Sequence, residues 1–89
     1  DPPQLIDVRS PEEWSAGHLP GAIHIPLAAL PERLGEIDDG KPVVVHCQGG
    51  GRSAIAASYL KSHGVRSVAN LRGGFDAWLA GDLPVERDA

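Results

Sequence analysis

Short apolar runs alternate along the chain with stretches patterned at helical spacing, and Gly and Pro mark the joints between them. Gln4 to Val8 reads as a strand leading into Arg9-Ser10. Ser10 suits a helix N-cap, Pro11 fits the first helical turn, and Glu12 and Glu13 lie where the positive helix end favours carboxylates. Gly17 closes this short helix, and Leu19-Pro20-Gly21 turns the chain. Ala22 to Ile25 predicts a second strand, cut off by Pro26. A helix follows over roughly Leu27 to Leu34, with Ala28, Leu30 and Leu34 among its apolar residues. Pro31 inside it has no N–H to donate and predicts a break or a second start.

After the Asp38-Asp39-Gly40 turn, Val43-Val44-Val45 is a continuous β-branched run, as expected of a strand buried on both faces of a parallel sheet. The strongest helical pattern runs from about Arg52 to His63, where Ile55 with Tyr59 and Ala56 with Leu60 predict one apolar stripe, and Gly64 stops it. Ser67 to Leu71 reads as the last strand and Phe75 to Ala80 as a final short helix. Strands alternating with helices predict an α/β fold: a central, mostly parallel sheet of four to five strands flanked by helices in three layers. Ligands on such sheets sit beyond the carboxyl ends of the strands. Cys47 falls there, between the valine strand and a glycine turn.

Composition narrows the function classes. Eighty-nine residues make one domain, 1–89, with too little chain for a second core. The formal charge of −4 is scattered, the eight basic residues do not cluster, and no apolar run reaches the length of a membrane span. Neither nucleic acid nor a membrane is therefore expected as a partner. A single cysteine forbids an internal disulfide and a Cys-rich zinc site, and the four histidines are dispersed, so no metal is expected.

A lone cysteine is usually a buried, inert hydrophobe. The segment Cys47-Gln48-Gly49-Gly50-Gly51-Arg52-Ser53 argues otherwise. A thiolate is favoured by inward-pointing backbone N–H groups, by a helix N-terminus and by a nearby cation. Three consecutive glycines let the backbone curl into an anion nest, a helix follows at once, and Arg52 lies five residues beyond the cysteine. A nucleotide phosphate loop would need a Lys after its last Gly, and that Lys is absent.

Val43 to Ser53, with its Cys-x-x-Gly-x-Arg-Ser pattern, resembles the active-site strand and loop of rhodanese domains. Two further stretches are similar to that family's signatures. One runs from Leu5-Ile6-Asp7-Val8-Arg9 through Glu12-Glu13-Trp14 to Gly17-His18-Leu19-Pro20-Gly21-Ala22 and Ile25-Pro26; the other is Leu71-Arg72-Gly73-Gly74-Phe75-Asp76-Ala77-Trp78. The resemblance implies a thiosulfate sulfurtransferase working by two-step transfer without a cofactor. Cys47 would take sulfur from thiosulfate or another persulfide donor and yield it to cyanide, a thiol, a sulfur-accepting protein or a fused domain. It implies Cys47 and Arg52 as catalytic, Gln48, Gly49, Gly50, Gly51 and Ser53 as the substrate-binding loop, and a cytoplasmic location. Two alternatives belong to the same resemblance. One is a docking or regulatory module. The other is a phosphatase or arsenate reductase, whose loops are one residue longer than the four between Cys47 and Arg52. Family members usually carry a further strand and helix before the Asp-x-Arg strand, so a chain trimmed or cut from a longer one, lacking an edge strand, is expected.

The remaining motif residues each have a plainer reading. Asp7 and Arg9 share one face of their strand and could support the Cys47 loop. For Arg9 the favoured reading is an ion pair with Glu12 or Glu13. His18 is expected to tie down the turn before Pro20, and His46 to pack on the face opposite Cys47. Trp14 and Trp78 are expected to anchor helices. Gly73-Gly74 is expected to let the chain pass close behind the loop. With neither bulk nor charge in its glycines, the site is expected to be open and shallow.

Overall fold

A computed structural model describes residues 3–87. Four strands, β1 (Gln4–Asp7), β2 (Ile23–His24), β3 (Val43–His46) and β4 (Val68–Asn70), form one sheet in the order β2-β1-β3-β4, with every pairing parallel. The helices are α1 (Pro11–Ala16), α2 (Leu30–Arg33), α3 (Gly51–Ser62) and α4 (Gly74–Ala80). Short 3-10 turns, Leu27–Ala29 and Leu34–Glu36, flank α2. Pro31 therefore marks a second helical start, within the first turn of α2, as its missing N–H requires.

Strand alternation sorts the two faces of the sheet. Ile6, Val43 and Val45 face α2 and α3, where they form a core with Leu30, Ala56, Leu60 and Val65. On the other face Leu5 and Val44 line one cavity together with Leu19 and Trp78, which puts α4 on that side as the third layer. The α/β sandwich with its parallel sheet is thus as expected. No helix is long and apolar enough to cross a membrane among the described residues.

One expectation about α3 fails. Ile55 is 61% exposed, while Ser53, Ala56 and Leu60 are buried. At 100° per residue the stripe i, i+3, i+7 is fixed once Ser53 faces Cys47, and Ile55 is then rotated into solvent. The helix phase is set by the site, not by the largest apolar side chains.

The α1 turn is closed by a capping box. The Ser10 hydroxyl accepts from Glu13 N–H at 3.2 Å, and the Glu13 carboxylate accepts from Ser10 N–H at 3.0 Å. Trp14 stacks on His18 with ring centroids 3.5 Å apart and on His24 at 4.8 Å. His18 also bonds the Trp14 carbonyl through Nδ1 at 3.0 Å, so it is the structural histidine expected of this turn. Trp78 anchors the chain after α4 by donating Nε1–H to the Pro84 carbonyl.

Gly74 is where the fold meets the loop. Its φ is +56°, and a Cβ there would lie 2.5 Å from the Cys47 carbonyl oxygen and 2.7 Å from that of Gln48. Only glycine lets α4 back onto the loop so closely. The same two carbonyls accept N–H bonds from Phe75 (2.9 Å) and Asp76 (3.0 Å). Gly74→Ala should therefore cost about 3 kcal/mol in urea unfolding. Gly21→Ala, which has positive φ but nothing within 4 Å, should cost about 1 kcal/mol. Equal losses would mean that the backbone contact at Gly74 is not felt.

Candidate active site

Cys47 follows the last residue of β3 at the carboxyl edge of the sheet and is 1% exposed. The site is therefore not the open, shallow one expected from its glycines. The loop lacks bulk, yet it folds over the sulfur. Gly50 has φ +124°, a conformation closed to most residues, and this turns its N–H onto Sγ at 3.1 Å. Gly51 begins α3, and Gly49 and Gly51 lie at the surface.

Burial pushes the Cys47 thiol up, but the Ser53 hydroxyl and the backbone N–H groups of Ser53, Gly50 and Arg52 outweigh it. The net shift is downward. The anion nest expected of the loop thus draws on the first residues of α3 as well as on one glycine. Ser53 Oγ lies 3.3 Å from Sγ, 3.2 Å from the Gly50 carbonyl and 2.7 Å from Asn70 Oδ1. Its single proton has three acceptors. Toward Asn70 it leaves Ser53 free to accept the thiol proton; turned toward Sγ it supports the thiolate. Asn70, at the end of β4, also donates to the Gly50 carbonyl at 3.3 Å.

Beneath the loop lies a buried ion pair. Arg9 donates Nη2–H to Asp7 Oδ2 at 2.8 Å and Nε–H to both carboxylate oxygens at 3.1 Å. Asp7 Oδ1 also accepts the Arg9 backbone N–H at 2.9 Å. The remaining guanidinium donors reach the Gly17 carbonyl (2.7 Å) and Gln48 Oε1 (3.2 Å), and the cation lies 4.1 Å from the centre of the Phe75 ring. Gln48 in turn donates to Asp76 Oδ1 at 2.6 Å. The expected pairing of Arg9 with Glu12 or Glu13 is thus corrected. Positions i and i+2 of the strand edge put Asp7 beside Arg9, and Glu13 is engaged elsewhere. Arg9 touches the Cys47 loop through Gln48, and Asp7 holds the guanidinium that does so.

Glu13 belongs to Arg52. Arg52 Nη1 and Nη2 donate to its two carboxylate oxygens at 2.6 and 2.9 Å. Arg52 is therefore not the free cation at the loop mouth that its position in the sequence suggests. The Arg52 hydrogen bonds hold the Glu13 carboxyl down from 4.5 to about 2, with burial opposing and Ser10 assisting. The interaction is intact above the ordinary carboxylate range and is lost as pH falls toward 2. Both side chains are 30–39% exposed, so the pair orients Arg52 more than it stabilises the fold.

His46 is fully buried, with Nε2 3.7 Å from Asp7 Oδ2. Neither ring nitrogen has a hydrogen-bond partner among the described residues. Burial pushes its pKa down, opposed by the Asp7 charge, which weakens the ring as a base; with no hydrogen bond to Sγ it is a packed side chain rather than a proton acceptor for Cys47. Sequence reasoning did not single out Asn70, or Glu13 as the partner of Arg52. The one available signal was Glu13 three residues after Ser10, a capping spacing that says nothing of Arg52.

The Rhodanese-like domain family model matches residues 1–81. The protein named "Uncharacterized protein YqhL" of Bacillus subtilis is 48% identical over 75 residues, which are 84% of this chain and 60% of that protein. The protein named "Sulfurtransferase" of Allochromatium vinosum is 41% identical over 81 residues, 91% of this chain and 76% of its own. The crystal structure of a rhodanese-like domain protein from Staphylococcus aureus superposes with a TM-score of 0.91 at 35% identity, covering 100% of this chain and 84% of that one. This chain belongs to the rhodanese-like domain family.

Two measurements probe the site. Alkylation of Cys47 should follow a titration midpoint below about 8.5, the ordinary thiol value. Ser53→Ala should move that midpoint up and slow the reaction at pH 7; an unmoved midpoint would count against the hydroxyl's role. Asp7→Asn strips the charge from the partner of a buried guanidinium and should cost about 3 kcal/mol. Combining it with Arg9→Met should recover much of that loss, as read from denaturant midpoints, and a double variant no more stable than the single one would contradict this.

Proposed function

We propose that the domain is a sulfurtransferase in which Cys47 carries sulfur as a persulfide. The observation that carries this reading is the Gly50 N–H at 3.1 Å from Sγ, with the Ser53 hydroxyl at 3.3 Å. These donors favour a thiolate and would go on to serve a persulfide anion, whose outer sulfur stands about 2 Å beyond Sγ. The relative named "Sulfurtransferase" in Allochromatium vinosum supports the same class of reaction.

In the first step the Cys47 thiolate attacks the outer sulfur of a donor such as thiosulfate. The new S–S bond forms as the donor's own S–S bond breaks, and sulfite leaves with the electron pair. In the second, cyanide or a thiolate attacks the outer sulfur of the persulfide, which restores the Cys47 thiolate and releases thiocyanate or a new persulfide. No oxidant is consumed, because the sulfane sulfur keeps its oxidation state. This is covalent catalysis with the charge held by a preorganised nest. Larger thiols, a sulfur-accepting protein or a domain fused to this one are further acceptors under this reading.

Phosphoryl or arsenate chemistry is less well served. Four residues separate Cys47 from Arg52, and the Arg52 guanidinium is directed to Glu13 by two hydrogen bonds. Incubation with thiosulfate should add one sulfur atom to the intact mass, cyanide should discharge it as thiocyanate, and Cys47→Ser should acquire none. A protein that gains no sulfur from thiosulfate or from a small organic persulfide would overturn the proposal and leave a docking role for the domain.

A further inference from the structure

Two guanidinium groups near Cys47 are each bonded to a carboxylate. Arg9 is bonded to Asp7 beneath the loop, and Arg52 to Glu13 beside it. Arg87, which lines the same groove as Glu13 and Gln48, donates Nε–H to the Ala16 carbonyl at 3.0 Å. With these two pairs each neutral, the Cys47 thiolate tips their surroundings negative. A doubly charged donor approaching Arg9 or Arg52 thus meets a guanidinium already bonded to a carboxylate.

Building on the sulfur-transfer reading, we propose that Glu13 is a specificity-determining residue: its carboxylate, locked onto Arg52 beside the Cys47 loop, disfavours small dianions and selects sulfur donors of lower negative charge. Glu13 suits this role because it is held from two sides. Oε1 accepts both from Arg52 Nη1 at 2.6 Å and from the Ser10 N–H at 3.0 Å, and Oε2 accepts from Arg52 Nη2 at 2.9 Å. An incoming anion that seeks Arg52 must compete with a carboxylate fixed by three donors on two elements. The carboxylate stays charged through the physiological range, so the selection does not switch off near neutral pH. Its partial exposure makes the effect sensitive to salt.

Glutamine separates charge from structure, because Gln at the third helical position still completes a capping box. Rate constants for alkylation of Cys47 by iodoacetate and by iodoacetamide give a ratio in which the thiolate fraction and its nucleophilicity cancel. Only the reagent's charge remains. Glu13→Gln should raise the iodoacetate-to-iodoacetamide ratio about fivefold at low ionic strength, a gain that shrinks as salt is added. Glu12→Gln, which removes the same charge from the neighbouring position, should move it less than about twofold. Ser10→Ala, which loosens the capping box but leaves the Glu13 carboxylate on Arg52, should also leave the ratio in place. Equal ratios in Glu13→Gln and Glu12→Gln, or an equal rise in Ser10→Ala, would overturn the proposal. Should Glu13→Gln lose its circular-dichroism signature of folding, Arg52→Gln gives the mirror test. It leaves Glu13 uncompensated and should lower the ratio; an unchanged ratio would be fatal to the idea.

Glu13→Gln should also lower KM for thiosulfate with little change in kcat. It should do less for methanethiosulfonate, which offers the same outer sulfur, carries one negative charge fewer and releases a sulfinate. Alkylation is read whether or not sulfur is transferred. A ratio that moves in a protein taking up no sulfur from either donor would overturn the sulfur-transfer reading alone. Sulfur uptake with an unmoved ratio would overturn the role of Glu13 alone.

Discussion

The Arg9 guanidinium, buried to about its last atom, is the interaction on which the site depends. Alone, such a cation would cost several kcal/mol of lost hydration. Asp7 offsets that cost through both carboxylate oxygens, and the donors left over bind the carbonyl that ends α1 and the side chain that follows Cys47. Phe75 places its ring against the remaining face. One side chain thus joins the end of β1, the close of α1, the Cys47 loop and α4. The arrangement gives little stability beyond what apolar side chains of similar volume would supply. What it adds is position.

Above that pair the loop is held by its backbone. Carbonyls face α4, the Gly50 N–H faces the sulfur, and the Ser53 hydroxyl stands between Sγ and Asn70. His46, neighbour to Cys47 and fully buried, stays out of this network, and neither ring nitrogen has a hydrogen-bond partner among the described residues. The acid–base character of the site therefore comes from the loop and the start of α3.

Much of this was legible in the sequence. The valine run, the three glycines and the Arg-Ser that follows place a cysteine at a strand end, before a tight loop and a helix start. Gly74 was legible too, as a residue needed for close approach. Three things were not. The rotation of α3 follows from Ser53 facing Cys47, so Ile55 looked like core while it lies in solvent. The partner of Arg9 depends on competition among Asp7, Glu12 and Glu13, which spacing alone does not decide. Glu13 and Arg52 are 39 positions apart and meet because β1 and β3 lie side by side in the sheet order β2-β1-β3-β4. Asn70 reaches Ser53 for the same reason, from the neighbouring strand β4.

The close seat of Gly74 also governs which way the loop's peptide planes face. In a trans peptide the carbonyl and the N–H point in opposite directions. Tethering the Cys47 and Gln48 oxygens to the N–H groups of Phe75 and Asp76 from behind therefore aims the N–H groups of Gln48 and Gly49 away from α4. A flip of either plane would cost a buried hydrogen bond and drive the N–H into a helix start that also carries N–H groups. The start of α4 thus acts as a stencil for a loop nearly thirty residues earlier.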